Sequence, residues 1–194
     1  MVPPVGRPRE FDEQEVLARA LDTFWKYGYE ATSVADLLQA TGLQKGSLYQ
    51  AFGDKHSLFL RTLDDYLTAG RASMERRLSG PGSLKEKLLG IMQISEVQSD
   101  GRRGCFGVNC LVEMAPHDAD VQARLVEHYR LLESMLSKHL EQALCRGETQ
   151  SPLPPPLLAR LLVTLLTGAA AASKGHLAPG EANQTLAAGL DQIL

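Results

Sequence analysis

The chain has 194 residues, 44% of them hydrophobic, enough apolar material for buried cores without disulfide or metal staples. Its formal net charge of −3 excludes bulk electrostatic attraction to nucleic acid, so any such binding has to rest on local placement of a few Lys and Arg residues. The three cysteines, Cys105, Cys110 and Cys145, are odd in number, and no apolar signal segment precedes the charged run at 7–15, which points to a reducing cytoplasm.

After a Pro-rich start, Leu17, Ala20, Leu21 and Phe24 recur at i, i+3, i+4 and i+7, with Asp12, Glu13 and Glu15 at the end where a helix dipole favours acids. This predicts a first helix that stops at Gly28. Ser33 and Asp36 make an S-x-x-D capping pattern for a short second helix running to about Ala40. Thr41-Gly42-Leu43 supplies a tight turn, and a third helix follows over about 44–52. Asp54 can cap a long fourth helix whose Phe59, Leu63, Tyr66, Leu67, Gly70, Met74 and Leu78 keep helical spacing up to Gly80-Pro81-Gly82.

Ser83 can cap a fifth helix bearing Leu84, Leu88, Ile91 and Met92, and 99–104 reads as a polar loop before a sixth helix near Cys105. Pro116-His117-Asp118 marks a bend ahead of a long segment with Val121, Leu125, Tyr129, Leu132, Leu136, Leu140 and Ala143. A Pro-rich linker at 147–156 then leads to two closing helices, 157–173 and 181–194. No segment alternates in the manner of a strand, so the fold class is all-α: a three-helix helix-turn-helix domain at 1–54 and a larger helical domain at 55–194. The apolar stretch at 157–172 is interrupted by Arg160 and Thr164 and falls short of the roughly 20 residues of a membrane span, so it reads as a buried or interface helix and no membrane partner is expected.

Two short helices joined by a Gly-containing turn, with a third packed across them, place a recognition helix in the major groove of DNA. Within the segment Gln44-Lys45-Gly46-Ser47-Leu48-Tyr49-Gln50, Leu48 alone of the early residues is expected to be buried, and Leu43 and Leu48 can staple the helix start if Gln44 is its cap. Gly46 inside so short a helix costs about 1 kcal/mol relative to Ala, for which close approach of DNA is a physical reason. Residues 1–60 hold six Lys and Arg against eight Asp and Glu, so Glu13, Glu15 and Asp22 must lie away from any DNA face.

The ordered run of Gly6-Arg7-Pro8-Arg9, Ala18 to Phe24, Tyr27-Gly28-Tyr29, Ala31-Thr32-Ser33-Val34, Thr41-Gly42-Leu43, Lys45-Gly46-Ser47-Leu48-Tyr49, Phe52 and Asp54-Lys55 resembles the DNA-binding domain of the TetR family of transcriptional regulators. Beyond the first third of the chain only helix count, lengths and loop positions resemble the family. The resemblance implies that Thr32 and Ser33 contact phosphate, that Lys45, Gly46 and Ser47, flanked by Gln44 and Gln50, face base edges, that Tyr49 and Lys55 hold the backbone, and that Arg7 and Arg9 enter the minor groove from an arm. Two positions depart from the family pattern: Gln44 stands where Ser is frequent, and Ala51 where an aromatic or His often contacts phosphate.

In the larger domain, Tyr66, Cys105, Phe106, Cys110, Glu113, Met114 and Tyr129 are the candidates for an effector or sensing site, with ordinary core as the alternative for each. Arg102 and Arg103 beside Cys105 raise a second possibility, a thiol sensor that releases DNA on oxidation or on reaction with an electrophile. Leu158, Leu161, Leu162, Leu165 and Leu166 offer more apolar surface than one face of a monomer helix needs, and are expected to form a homodimer interface. The long fourth helix, entering the larger domain from the first, is the expected lever of the switch.

No cofactor is expected, and His117, His128, His139 and the cysteines lack metal-ligand spacing. No catalytic residue is assigned, since neither a nucleophile elbow nor a phosphate-binding glycine loop is present. The function expected is a dimeric repressor of operator DNA released by an unidentified small-molecule effector. A helical interaction protein or a small enzyme without DNA binding stands as the alternative of another class.

Overall fold

The computed structural model describes residues 11–98, 103–174 and 181–194. Among them all regular structure is helical: α1 Glu13–Tyr27, α2 Val34–Thr41, α3 Lys45–Phe52, α4 Lys55–Leu78, α5 Leu84–Gln98, α6 Phe106–Glu113, α7 Ala119–Cys145, α8 Pro155–Lys174 and α9 Glu181–Ile193. The chain falls into two compact units that divide between Leu63 and Asp64, inside α4.

Local chemistry fixes the helix ends in the first unit. The Asp12 carboxylate accepts from the backbone N–H groups of Gln14 (2.9 Å) and Glu15 (3.4 Å) at the start of α1. At α2, Ser33 and Asp36 form a reciprocal capping box, with the Asp36 N–H on the Ser33 hydroxyl (3.2 Å) and the Ser33 N–H on the Asp36 carboxylate (2.8 Å). Such a cap is worth about 1 kcal/mol. Gly42 ends α2 in the left-handed region (φ 72°, ψ 9°), which only glycine adopts without a Cβ clash, so α3 can restart at once. Asp54 accepts from the Ser57 N–H (2.7 Å) at the head of α4.

The core of this unit is aromatic. Phe24 of α1 meets Phe59 of α4 edge-on with ring centroids 5.2 Å apart, and Tyr29 lies 4.8 Å from Phe59. Val16, Leu17, Ala20, Leu37, Leu48, Phe52, Leu58 and Leu63 are buried as well. Each large side chain withdrawn from water contributes about 2–3 kcal/mol, the term that holds short α2 and α3 helical.

In the second unit, Leu78 of α4, Leu84 and Leu88 of α5, Leu132, Leu136, Leu140 and Ala143 of α7, Leu158, Ala159, Leu162 and Val163 of α8 and Leu190 of α9 form one apolar core. A second buried group includes Leu67, Phe106, Val108, Cys110, Met114, Val121 and Leu125. Gly107 allows α6 to approach α4 closely, because a Cβ there would come within 3.1 Å of the Leu67 side chain.

This packing corrects two expectations about α8. Leu158 and Leu162 are 2% exposed within the unit's own core, so they are not interface residues; Leu161, Leu165 and Leu166 are half-buried. The helix is also longer than the apolar stretch suggested, since Pro155, whose missing N–H is no loss in a first turn, starts it ahead of Leu157. By length and composition alone, residues 155–172 suffice to cross a membrane. A helix that buries one face against α7 and whose Arg160 lies 3.4 Å from Glu133 of α7 meets the same test as a core helix.

Candidate functional site

The α2-turn-α3 unit presents one helix with very little committed to the core. Only Leu48 and Phe52 of α3 are buried. Lys45, Gly46 and Gln50 are exposed, Tyr49 is 38% exposed, and Ser47 is half-buried. Gln44 is the N-cap but makes no side-chain capping bond, so its amide is uncommitted at the positive end of the helix. The first turn of α3 holds no acid, unlike that of α1 or α2.

Gly46 is the most informative position. A Cβ built there meets no heavy atom within 4 Å, so nothing among the described residues requires glycine. Its helix penalty of about 1 kcal/mol therefore lacks an intramolecular cause. A missing side chain on an exposed first turn, between Lys45 and Ser47, leaves room for another molecule to come against the backbone.

The basic side chains around α3 are ordered by aromatic rings. The Lys45 ammonium stands 5.8 Å from the centroid of Tyr49, and Lys55 stands 4.2 Å from that of Tyr29. Two of the acids that had to be kept from a DNA face are paired: Glu13 with Arg61 (2.7 Å) and Glu15 with Arg19. Hydrogen bonds from the Ser33 hydroxyl and N–H hold the Asp36 carboxyl below its ordinary range, and the Ser57 N–H does the same for Asp54.

Thr32 is a correction. Its side chain is fully buried and its hydroxyl donates to the Gly28 carbonyl at 2.6 Å, so it fixes the α1–α2 turn and is not available to phosphate. Ser33 remains at the surface as the α2 cap. Arg7 and Arg9 lie outside the described residues.

In the second unit the structure brings together some of the candidate sensing residues and separates others. The Tyr66 hydroxyl lies 3.4 Å from the Cys105 sulfur, and the Tyr66 and Phe106 rings meet edge-on at 5.5 Å. Burial, then the neighbouring Cys105, pushes the Tyr66 phenol up. Tyr129 is also pushed up by burial, opposed by a hydrogen bond with the Thr167 hydroxyl. Cys110 is 3% exposed and its thiol is pushed up, first by burial and then by the Glu113 charge, so it is a poor nucleophile at neutral pH. Met114 is core, whereas Glu113 is exposed and ion-paired with Lys174 at 3.1 Å; it lines no interior surface.

Sequence reasoning missed the pairing of Arg71 with His128. The Arg71 guanidinium donates to His128 Nδ1 (2.9 Å) and to the Thr68 hydroxyl (3.0 Å). The signal was present in the spacing: Arg71 falls between Leu67 and Met74 on the apolar stripe of α4, and His128 between Leu125 and Leu132 on that of α7. Burial and the adjacent guanidinium lower the His128 pKa to about 4, so its ring is neutral at neutral pH.

Comparison with known proteins assigns these features to a family. The pattern of "Bacterial regulatory proteins, tetR family" matches residues 16–62, and that of "Tetracyclin repressor-like, C-terminal domain" matches residues 83–188. An uncharacterised HTH-type transcriptional regulator of Bacillus subtilis, YezE, is 38% identical over 146 residues, covering 74% of this chain and 71% of that protein. The HTH-type transcriptional repressor ComR of Escherichia coli is 33% identical over 155 residues, covering 77% and 71%. Among solved structures, a cysteine mutant of the TetR family regulator CifR, complexed with 26-base-pair double-strand operator DNA, superposes with a TM-score of 0.83 at 26% identity, covering 97% of this chain and all of that one.

Proposed function

The chain belongs to the TetR family of bacterial transcriptional regulators, and we propose that it is a cytoplasmic, dimeric repressor that binds a roughly palindromic operator through α2 and α3 and releases it when a small effector occupies its larger domain. The observation that carries the DNA reading is Gly46, exposed in the first turn of α3 with nothing among the described residues to account for it. Residues 1–54 form the DNA-reading head, where Gln44, Lys45, Ser47 and Gln50 meet base edges and Ser33 and Tyr49, with Lys55 just beyond the head, meet phosphate. Arg7 and Arg9 extend the contact into the minor groove. That ComR is a repressor and that CifR is held on operator DNA support the same reading.

Dimerisation is assigned to α8 and α9. Leu157 and Gly168 are exposed, Leu161, Leu165 and Leu166 are half-buried, and neither Gly168 nor Gly189 has a neighbour within 4 Å of a built Cβ. A second copy of the same two helices fits such a surface. Two heads then meet half-sites about one helical turn apart, and a ligand releases DNA by favouring a dimer in which that spacing is lost.

The half-exposed Cys105, with the Tyr66 hydroxyl on its sulfur, favours a second reading in which the trigger is a thiol reagent. Selection of binding sites from random duplex DNA tests the whole proposal: an enriched inverted repeat is expected, with affinity falling steeply as salt rises, and recovery of unenriched sequence overturns it.

A further inference from the structure

Between Asp64 and Leu78, α4 is tied to α7 by long polar side chains. Asp64 pairs with Arg124 at 3.1 Å, and Glu75 with His139 at 3.2 Å. Between these two links sits Arg71, which meets only neutral acceptors, His128 Nδ1 and the Thr68 hydroxyl. Arginine donates and never accepts, so the His128 Nδ1 must carry its lone pair toward the guanidinium and the ring is neutral. Glu127, beside His128 in sequence, is exposed and commits both oxygens to Arg130 (2.8 and 2.9 Å). Among the described residues no carboxylate lies within ion-pair distance of Arg71.

The charge lies in an apolar setting. Leu67, Leu125 and Leu132 on the same stripes are at most 8% exposed, Met74 is partly buried, and Tyr129 stacks edge-on to His128 at 5.6 Å. A half-buried guanidinium with no carboxylate in direct contact, and only the more distant charge of Glu127 acting on it, is costly there, because the medium neither solvates it fully nor neutralises it. Two neutral bonds hold the guanidinium in place while part of its donor fork stays open. A planar fork of this kind matches a carboxylate, and a carboxylate bound to it removes the electrostatic deficit.

We propose that Arg71, positioned by His128 and Thr68, anchors a binding site for a small organic carboxylate, with half-buried Tyr129 beside it. Only the coupling of that site to DNA release rests on the repressor reading. Burial and the Arg71 charge keep His128 neutral, so the ring holds the anchor without competing for the anion.

Calorimetry on the purified full chain tests the site directly, using aliphatic and aromatic monocarboxylates such as butyrate and benzoate, each paired with its neutral amide. At least one acid should bind at least about tenfold more tightly than its amide, the worth of one charge-assisted contact. Arg71→Gln should abolish that preference while unliganded operator affinity and melting temperature stay near wild type, and Arg71→Lys should restore part of it. Acid and amide binding alike, no acid binding at all, or a preference that survives Arg71→Gln overturns the proposal. Arg71-dependent acid binding that leaves operator affinity unmoved upholds the site and instead contradicts its coupling to DNA. Failure of the unliganded protein to bind any operator contradicts the repressor reading and leaves the calorimetry standing.

Discussion

The Tyr66 hydroxyl and the Cys105 sulfur lie 3.4 Å apart, joining α4 to the cap residue of α6, whereas Cys110, one turn further on, is sealed in the core. Alkylation of the native protein should therefore label Cys105 and exposed Cys145 and leave Cys110 untouched until the chain is unfolded. Mass spectrometry of iodoacetamide-treated protein reads the three sites separately. If the thiol reading holds, Cys105→Ser retains operator binding and loses sensitivity to an electrophilic quinone, while Cys110→Ser keeps that sensitivity. Rapid native labelling of Cys110 would contradict this packing.

His128 makes stability depend on pH in a stated window. Its pKa falls from 6.5 to about 4 on folding, so between those values the unfolded chain binds more protons than the folded one. The associated stability is complete above about pH 6.5 and is lost as pH falls through 4, with an upper limit of roughly 3 kcal/mol. His128→Gln, whose amide oxygen can still accept from Arg71, should flatten this component. Denaturant titrations of both proteins between pH 4 and 7 measure the difference; parallel curves would show that the ring is not held neutral.

Thr32 should behave as a structural residue. Thr32→Val removes the bond to the Gly28 carbonyl from a fully buried site and should cost about 1–2 kcal/mol of unfolding free energy. Operator affinity per folded molecule should change less than about twofold, against the larger uniform loss that a lost phosphate contact would produce. Denaturant melts and operator titrations on the same preparation separate the two roles.

Gly168 tests the proposed dimer without disturbing the core. Because a Cβ there meets nothing within 4 Å among the described residues, Gly168→Leu should leave each protomer folded and shift sedimentation toward monomer. Leu162→Asp is the wrong probe, since it places a charge inside the core and unfolds the protomer. An unchanged dimer for Gly168→Leu places the interface elsewhere.

Features set by neighbours along the chain are legible in the amino-acid sequence itself. Asp12, Ser33, Gly42, Asp54, Ser83 and Asp118 cap or end helices through groups two to four residues away, and the α2-turn-α3 unit follows from them. Pairings between distant segments are not legible in that way. Arg71 and His128 stand 57 positions apart, and although spacing puts each on an apolar stripe, it does not show that they are partners. In α8, Leu occurs on several faces, so spacing does not tell Leu158 and Leu162, which point into the core, from Leu165 and Leu166. Thr32 misleads because a hydroxyl beside a cap has the same sequence appearance whether it serves the turn or a ligand.

The central claim is that the exposed first turn of α3 lies against DNA, and Gly46→Ala tests it in one pair of measurements. Alanine adds a methyl group into open space and removes glycine's helix penalty, so the protein should become more stable by about 1 kcal/mol. The same methyl group should hold the helix off the groove and weaken operator binding at least about tenfold, the cost of losing one or two contacts there. Stability up and affinity down, in one variant, is the predicted result; affinity equal to wild type would contradict the placement of α3 on DNA.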